Sequence, residues 1–280
     1  MTPQPLNSSI ISERSKFLSF GGMGSGKTFA SGTLPGRIYV LCIGGANEVI
    51  TLMSPDFTNK HPKKKGLITY DSVKENLGKR GSFSKAEGYD AACDLLDAAL
   101  ELDRSGETPF DSLVVDGSTG LRGLAMNKSM EITYMTAKSV DKSSMKKFQE
   151  HGIIIPQDND YFGEQSLIWK FVNWCFSLDK HFNLSTHVWE ETKANRATRE
   201  TTILSMKPSF TGKQRDSIPT LFDNVWYFST TGGKKSMQYE AQTQGDEIVE
   251  ARTRFGGVVP VKYRDVNYED TINKFTEAAS

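Results

Sequence analysis

Residues 21–28 read GGMGSGKT and follow directly on the apolar stretch Phe17-Leu18-Ser19-Phe20. A strand that runs into a glycine-rich turn and then a helix fits best in a mainly parallel sheet with helices on its faces. The spacing is that of the G-x-x-x-x-G-K-[ST] phosphate-binding loop, in which each residue type has a task. Gly21, Gly24 and Gly26 allow backbone conformations that a Cβ would forbid, so several N–H groups can turn toward one anion. The helix starting near Lys27 adds its positive end. Lys27 is the candidate ligand of the β- and γ-phosphates, and the Thr28 hydroxyl that of a Mg²⁺ ion. Gly21, Gly22, Met23, Gly24, Ser25, Gly26, Lys27, Thr28 and Phe29 together are the expected contacts of a nucleoside triphosphate.

The rest of the composition narrows the classes. The chain has 280 residues with 34 basic and 34 acidic side chains. A wholesale basic protein is excluded, so nucleic acid could be held only by local patches or by assembly. The sequence shows neither an N-terminal apolar leader nor a run of about 18 apolar residues, which predicts a soluble protein of the cytoplasm with no membrane partner. Cys42, Cys93 and Cys175 match no metal spacing and are expected as buried, reduced thiols.

Residues 1–15 are polar and read as a flexible N-terminal segment, and residues 16–280 as one domain. Phe17–Phe20 is the first strand, and Pro35-Gly36 is expected to end the helix after the loop. The near-continuous apolar run Arg37–Ile43 predicts a parallel strand covered on both faces. Further strands are expected at Leu67–Tyr70, at Leu113–Asp116 and at Phe182–Thr186, and helices at Glu87–Asp103, 121–138 and Phe162–Leu178. The aromatics of that last helix are expected in the core. Lys60–Lys65 (KHPKKK) reads as a solvated loop, with a DNA contact as the alternative, Val140–Asp158 as irregular, and Glu190–Thr202 as a polar surface excursion. Val225–Thr230, Ser236–Ala241 and Ile248–Phe255 read as a late β-meander whose first turn is Gly232-Gly233-Lys234-Lys235. The fold class is α/β, a mainly parallel sheet flanked by helices with a C-terminal antiparallel extension.

Four further positions carry candidate chemistry. Asp116 ends a buried strand about 90 residues after the loop and would support the metal with Thr28; the alternative is a strand-end turn. His187, after Ser185-Thr186, ends a strand expected beside the loop and would sense the γ-phosphate; the alternative is a structural histidine. Arg252 and Arg254, two apart on an expected strand, would reach a neighbouring subunit's triphosphate; the alternative is surface charge.

Taken in order, GGMGSGKT at 21–28, SLVVDGST at 112–119, LSTHVWEE at 184–191, GKQRDSIPTLFDNVWYF at 212–228 and ARTRFGG at 251–257 resemble the RecA-like phage nucleotide-binding ATPases of the AAA class, which include recombination and annealing proteins. The resemblance implies a RecA-like ATPase domain that binds ATP with Mg²⁺ and hydrolyses it between subunits of a homo-oligomer. It implies action on single-stranded DNA in homologous recombination or annealing, with a single-strand-binding protein as a further partner, in the host cytoplasm if the chain is phage-encoded. The chain departs from the pattern in lacking a separate DNA-binding domain. It also departs at the catalytic glutamate. Gly117, not Glu, follows Asp116, and in RecA-like ATPases the water-activating Glu comes instead from the end of the strand after the loop helix. Glu48 is the nearest acid there, with Asp71 as alternative and a solvated surface Glu as the plain reading. DNA is expected to meet loops at the C-terminal edge of the sheet, with 193–215 the most basic candidate. A small-molecule or nucleotide kinase and a non-hydrolysing, nucleotide-dependent assembly module are the rival readings.

Overall fold

The computed structural model describes residues 15–76, 86–136, 156, 158–194, 201–232 and 238–279. The expectations for 1–14, for most of 140–158 and for the turn at 233–235 lie outside the described residues.

The strand before the loop is β1 (Lys16–Gly21), buried at every position. The loop leads into α1 (Lys27–Ser31), a helix of five residues that Gly32 terminates before Pro35-Gly36 is reached. Then come β2 (Ile38–Ile43), α2 (Ile50–Met53), α3 (Pro55–Lys60), β3 (Ile68–Val73), α4 (Glu87–Ser105) and β4 (Ser112–Asp116). They are followed by α5 (Ser118–Thr136), α6 (Asp158–Ser177), β5 (His181–Thr186), β6 (Val188–Ala194), β7 (Thr201–Pro208), α7 (Gln214–Ser217) and β8 (Asn224–Thr231). The described chain closes with β9 (Gln238–Gln242), β10 (Lys262–Arg264) and α8 (Tyr268–Ala279).

Among the described residues, eight strands form one sheet in the order β10-β9-β8-β1-β5-β4-β2-β3. The six strands from β8 to β3 are parallel, and β9 and β10 add antiparallel. This is the expected fold class. The phosphate-loop strand sits in the middle, with β5 on one side and β8 on the other. Because β5 separates them, the Asp116 strand is not the direct neighbour of the loop strand.

Alternation along the strands divides the core into two. Leu18, Phe20, Leu41, Ile43, Leu113, Val115, Phe182 and Leu184 face a layer that includes Leu96 of α4, Leu124 of α5 and Phe171 of α6. Phe17, Val40, Cys42, Val114, Trp226, Phe228 and Ala241 face Ala30 of α1, Phe57 of α3 and Ile272 of α8. Strands covered on both faces read as continuous apolar runs, which is why β2 and β4 were legible from their sequence.

Several expectations are corrected. The third strand of the late extension is Lys262–Arg264, not Ile248–Phe255. In 248–255 only isolated bridges form, Met206 with Val249 and Val225 with Arg252. There the Asp246 carboxylate takes the N–H groups of Ile248 and Val249, and Thr253 Oγ1 donates to Asn224, so side chains hold a loop that looks extended in sequence. Val225–Thr230 makes the expected antiparallel pair with Gln238–Gln242, and on its other edge it also joins the parallel part of the sheet, since β8 pairs with β1. The polar excursion at 190–202, of which 195–200 lie outside the described residues, falls on an antiparallel pair, β6 with β7; Glu190–Ala194 is exposed and leaves no apolar alternation to read. Lys64 of the basic run is buried and pairs with Glu269 at 2.9 Å. The aromatics of α6 divide: Phe171 is core, while Phe162 is 67% exposed and Trp169 39% exposed.

Candidate functional site

The loop leaves the C-terminal end of β1 under tight steric control. A Cβ on Gly21 would lie 2.1 Å from the Phe228 carbonyl oxygen, because β8 pairs at that residue. Gly24 and Gly26 have φ of 71° and 93°, the left-handed region expected of them. With only five residues, α1 contributes a weaker dipole than a long helix would.

Lys27 lies folded over the loop. Its Nζ donates to the carbonyls of Gly21 at 3.0 Å and Gly22 at 2.7 Å, and to Ser25 Oγ at 3.2 Å. Burial brings its ammonium pKa down to about 8, with the Asp116 charge pulling the other way.

The next residue reaches across the sheet. Thr28 Oγ1 donates to Asp116 Oδ2 at 2.6 Å. Asp116 is 5% exposed. Burial pushes its carboxyl above the ordinary range, against the pull of the Thr28 hydroxyl, the Lys27 charge, Ser185 and the Gly117 N–H. A hydroxyl and a buried carboxylate are hard oxygen donors of the kind Mg²⁺ takes, and a cation beside Asp116 would relieve the cost of its buried charge. The donor set fits the ion.

A polar network not foreseen from the sequence underlies these residues. Ser19 Oγ donates to Asn183 Oδ1 at 2.6 Å and shares a hydrogen bond with the Tyr268 hydroxyl at 2.6 Å. Asn183 Nδ2 donates to Ser31 Oγ at 2.8 Å and to Ser185 Oγ at 3.3 Å, and Ser185 bonds Asp116. All five of Ser19, Ser31, Asn183, Ser185 and Tyr268 are buried. Their signal in sequence is a polar residue at alternate positions of a strand that should be apolar on both faces, in LSF at 18–20 and FNLST at 182–186. Satisfied networks of this kind fix a unique geometry, here that of the acid and the loop helix.

Gly117 explains the missing glutamate. It has φ of 98°, and a Cβ there would lie 2.2 Å from the Ile43 carbonyl oxygen. No side chain fits directly after Asp116. Glu48 follows the end of β2 in a turn and is half-buried. It is close enough that its charge, with those of Asp116 and Asp71, adds to the burial that raises the Cys42 thiol to about 12. Cys42 is the register partner of Asp116. Asp71, the alternative, is in the middle of β3, not at a strand end. It pairs in register with Leu41, on the face opposite Asp116, and accepts from the Tyr39 hydroxyl at 2.9 Å.

His187 is exposed just beyond β5, whose Thr186 pairs with Phe20. Its carbonyl accepts from Ser209 N at 2.9 Å. The strand was expected beside the loop, and it is. Arg252 and Arg254 lie elsewhere. The Arg252 guanidinium donates to the carbonyls of Pro219 and Phe222 at 2.6 and 2.9 Å. Arg254 pairs with Asp223 at 2.6 Å. Asp223 precedes β8 and accepts from Lys16 N, so both arginines are at the end of the sheet opposite their own phosphate loop.

Of the basic candidates in 193–215, Lys207 is paired with Glu250 and Asp216, and Arg215 lies 3.5 Å over the Trp189 ring. Lys193 and Lys213 are exposed, and Arg196 and Arg199 lie outside the described residues. The three cysteines are free and buried. Among the described residues no helix is long and apolar enough to cross a membrane.

No family model and no curated protein matches the sequence. Among solved structures, the chain is similar to a KaiC-like protein of the archaeon Pyrococcus horikoshii OT3 at 11% identity and a TM-score of 0.43, over 90% of this chain and 85% of that one. It is similar also to the flagellar accessory protein FlaH of Methanocaldococcus jannaschii at 10% identity and a TM-score of 0.41, over 91% and 88% of the two chains. Likenesses this distant assign no function to the chain.

Proposed function

We propose that this protein is a RecA-like, Mg²⁺-dependent ATPase that acts on single-stranded DNA in homologous recombination or annealing. One observation carries the ATPase reading. The Thr28 hydroxyl and the Asp116 carboxylate, 88 residues apart, meet at 2.6 Å beside a lysine folded onto a glycine loop. A structural turn has no need of a half-buried cation next to a buried acid. Phosphate and metal chemistry needs both.

Lys27 would leave its loop carbonyls for the phosphate oxygens, exchanging dipoles for full charges. Thr28 and Asp116 would hold Mg²⁺, which would neutralise charge on the transferring phosphoryl group. Glu48 would orient the attacking water, since Gly117 leaves no room for a base there. His187, exposed beyond the neighbouring strand, would report the state of the γ-phosphate.

A homo-oligomer would give the arginines their role. Neither can reach its own subunit's loop. Arg254, 71% exposed beyond its Asp223 pair, is the better placed to act on a neighbour's triphosphate in a head-to-tail homo-oligomer, while the two carbonyl bonds of Arg252 favour a role in holding the 219–222 turn. Single-stranded DNA would be met by the β6–β7 pair, which leaves the same edge of the sheet as the loop. The exposed Lys193 and Lys213 give one subunit few phosphate contacts, so affinity would come from repetition along an oligomer. The DNA role, a single-strand-binding partner and a phage origin rest on the resemblance of the motifs.

Phosphate release, measured with and without single-stranded DNA over a range of protein concentrations, tests the reading. The expected result is Mg²⁺-dependent turnover that rises with DNA and with concentration. Turnover that is absent, or that needs a small-molecule acceptor, would replace it with the assembly-module or kinase reading.

A further inference from the structure

The loop is flanked symmetrically. On one side, with β5 between, β4 brings Asp116 to Thr28. On the other side, with β8 between, β9 brings up Tyr239. Two strand spacings put each about 10 Å from β1. Tyr239 pairs in register with Thr230, two residues beyond the Phe228 that contacts Gly21, so it stands at the loop end of the sheet. It shares a strand face with Ala241, which packs in the same core layer as Ala30 of α1. A Cβ on Gly26 would lie 3.0 to 3.3 Å from three atoms of the Tyr239 side chain. The tyrosine therefore lies against the last glycine of the loop, yet is 48% exposed. The open part of the ring is thus beside the phosphate loop.

We propose that Tyr239 is the stacking platform for the base of the bound nucleoside triphosphate. The inference rests on the phosphate-loop reading above and extends it. If the terminal phosphate lies toward Thr28 and Asp116, the triphosphate crosses the loop and its nucleoside end emerges on the β8–β9 side. There the open side of the ring is a flat apolar surface. Every base has a π-face, so an aromatic platform gives affinity with little choice among bases. Gly26 is part of the same device, since a side chain there would push the ring off the loop.

The experiment measures binding of Mg·ATP, Mg·GTP and inorganic tripolyphosphate by calorimetry to the full-length protein and its Tyr239→Ala, Tyr239→Phe and Lys27→Ala variants. Tyr239→Ala should weaken both nucleotides by about ten- to a hundredfold, the usual loss of one base–aromatic stack. It should leave tripolyphosphate within about twofold. Tyr239→Phe should keep nucleotide affinity. Lys27→Ala should weaken all three ligands. Equal losses of ATP and tripolyphosphate in Tyr239→Ala would mean the tyrosine only props the loop and would overturn the proposal. No loss of either would overturn it too. Tripolyphosphate binding that Lys27→Ala does not affect, or no binding of any ligand to the parent protein, would instead overturn the phosphate-loop reading on which it stands.

Discussion

Replacing Lys27 with methionine separates what the lysine does for the fold from what it does for a ligand. Methionine keeps much of the length and removes the charge. In the ligand-free protein the ammonium is displaced from its ordinary 10.5 to about 8 by burial. That corresponds to at most about 3 kcal/mol of destabilisation at neutral pH, and to less with solvent screening of a half-buried group. Against it stand the hydrogen bonds to the Gly21 and Gly22 carbonyls and to Ser25 Oγ. At about 1 kcal/mol each they total about the same. The two effects nearly cancel, so ligand-free Lys27→Met should melt within about 4 °C of the parent, given about 2–4 °C per kcal/mol for a chain of this size. The pH dependence gives a second check. Because the folded pKa is depressed, the unfolded chain binds more protons between about 8 and 10.5, and the parent gains stability as pH rises through that window. The variant has no such gain, so the difference in unfolding free energy should move by up to about 3 kcal/mol toward the parent. Mg·ATP affinity should fall roughly ten- to a hundredfold with loss of the charge-assisted contact. Denaturant unfolding at pH 7.5 and 10.5 with ATP calorimetry measures all three. A fall of more than about 10 °C in the ligand-free protein, or an unchanged ATP affinity, would refute the reasoning.

Three more outcomes follow from named contacts. Gly21→Ala should cost about 2–4 kcal/mol, since its Cβ would meet the Phe228 carbonyl oxygen at 2.1 Å, whereas Gly22→Ala meets nothing within 4 Å and should leave the melting temperature nearly unchanged; equal behaviour of the pair in thermal unfolding would contradict the geometry. Asp116→Asn should raise the melting temperature of the metal-free protein near neutral pH, because a buried carboxyl with a raised pKa loses stability as pH rises through that pKa, and it should abolish stabilisation by Mg·ATP relative to ATP alone; a lower metal-free melting temperature would count against the assignment. Burial raises the Cys42 thiol to about 12 and the Cys93 thiol to about 11, and raises that of Cys175 as well, so a thiol reagent at pH 7.5 should label none of them until denaturant is added; fast labelling of the native protein would show the core to be open.

The sequence alone determined the elements whose information is local. The loop 21–28 is a spacing of residue types, β2 and β4 are short apolar runs suited to burial on both faces, and β1 and β5 carry apolar residues at alternate positions. With them came the fold class and the correct placing of His187 at the end of a strand beside the loop. Only the tertiary structure decided what depends on pairing across long separations. Strand order brought Asp116 to Thr28 from two strands away, and register put Asp71 on the far face from both. The last strand of the extension falls at 262–264, while in 248–255 the N–H groups of Ile248, Val249, Arg254 and Phe255 donate to the side chains of Asp246, Asn224 and Thr253, a competition no local pattern records. The burial of Lys64 depends on Glu269, more than 200 residues away in the chain. Gly117 in place of a glutamate was visible from the start, but its reason was not, since the obstacle is a carbonyl of Ile43 on another strand. The polar network from Tyr268 through Ser19, Asn183 and Ser185 to Asp116 was hidden for the same reason. A serine or asparagine in an apolar strand reads as a defect until folding supplies its partners, and those partners, Ser31 of α1 included, come from five separate elements.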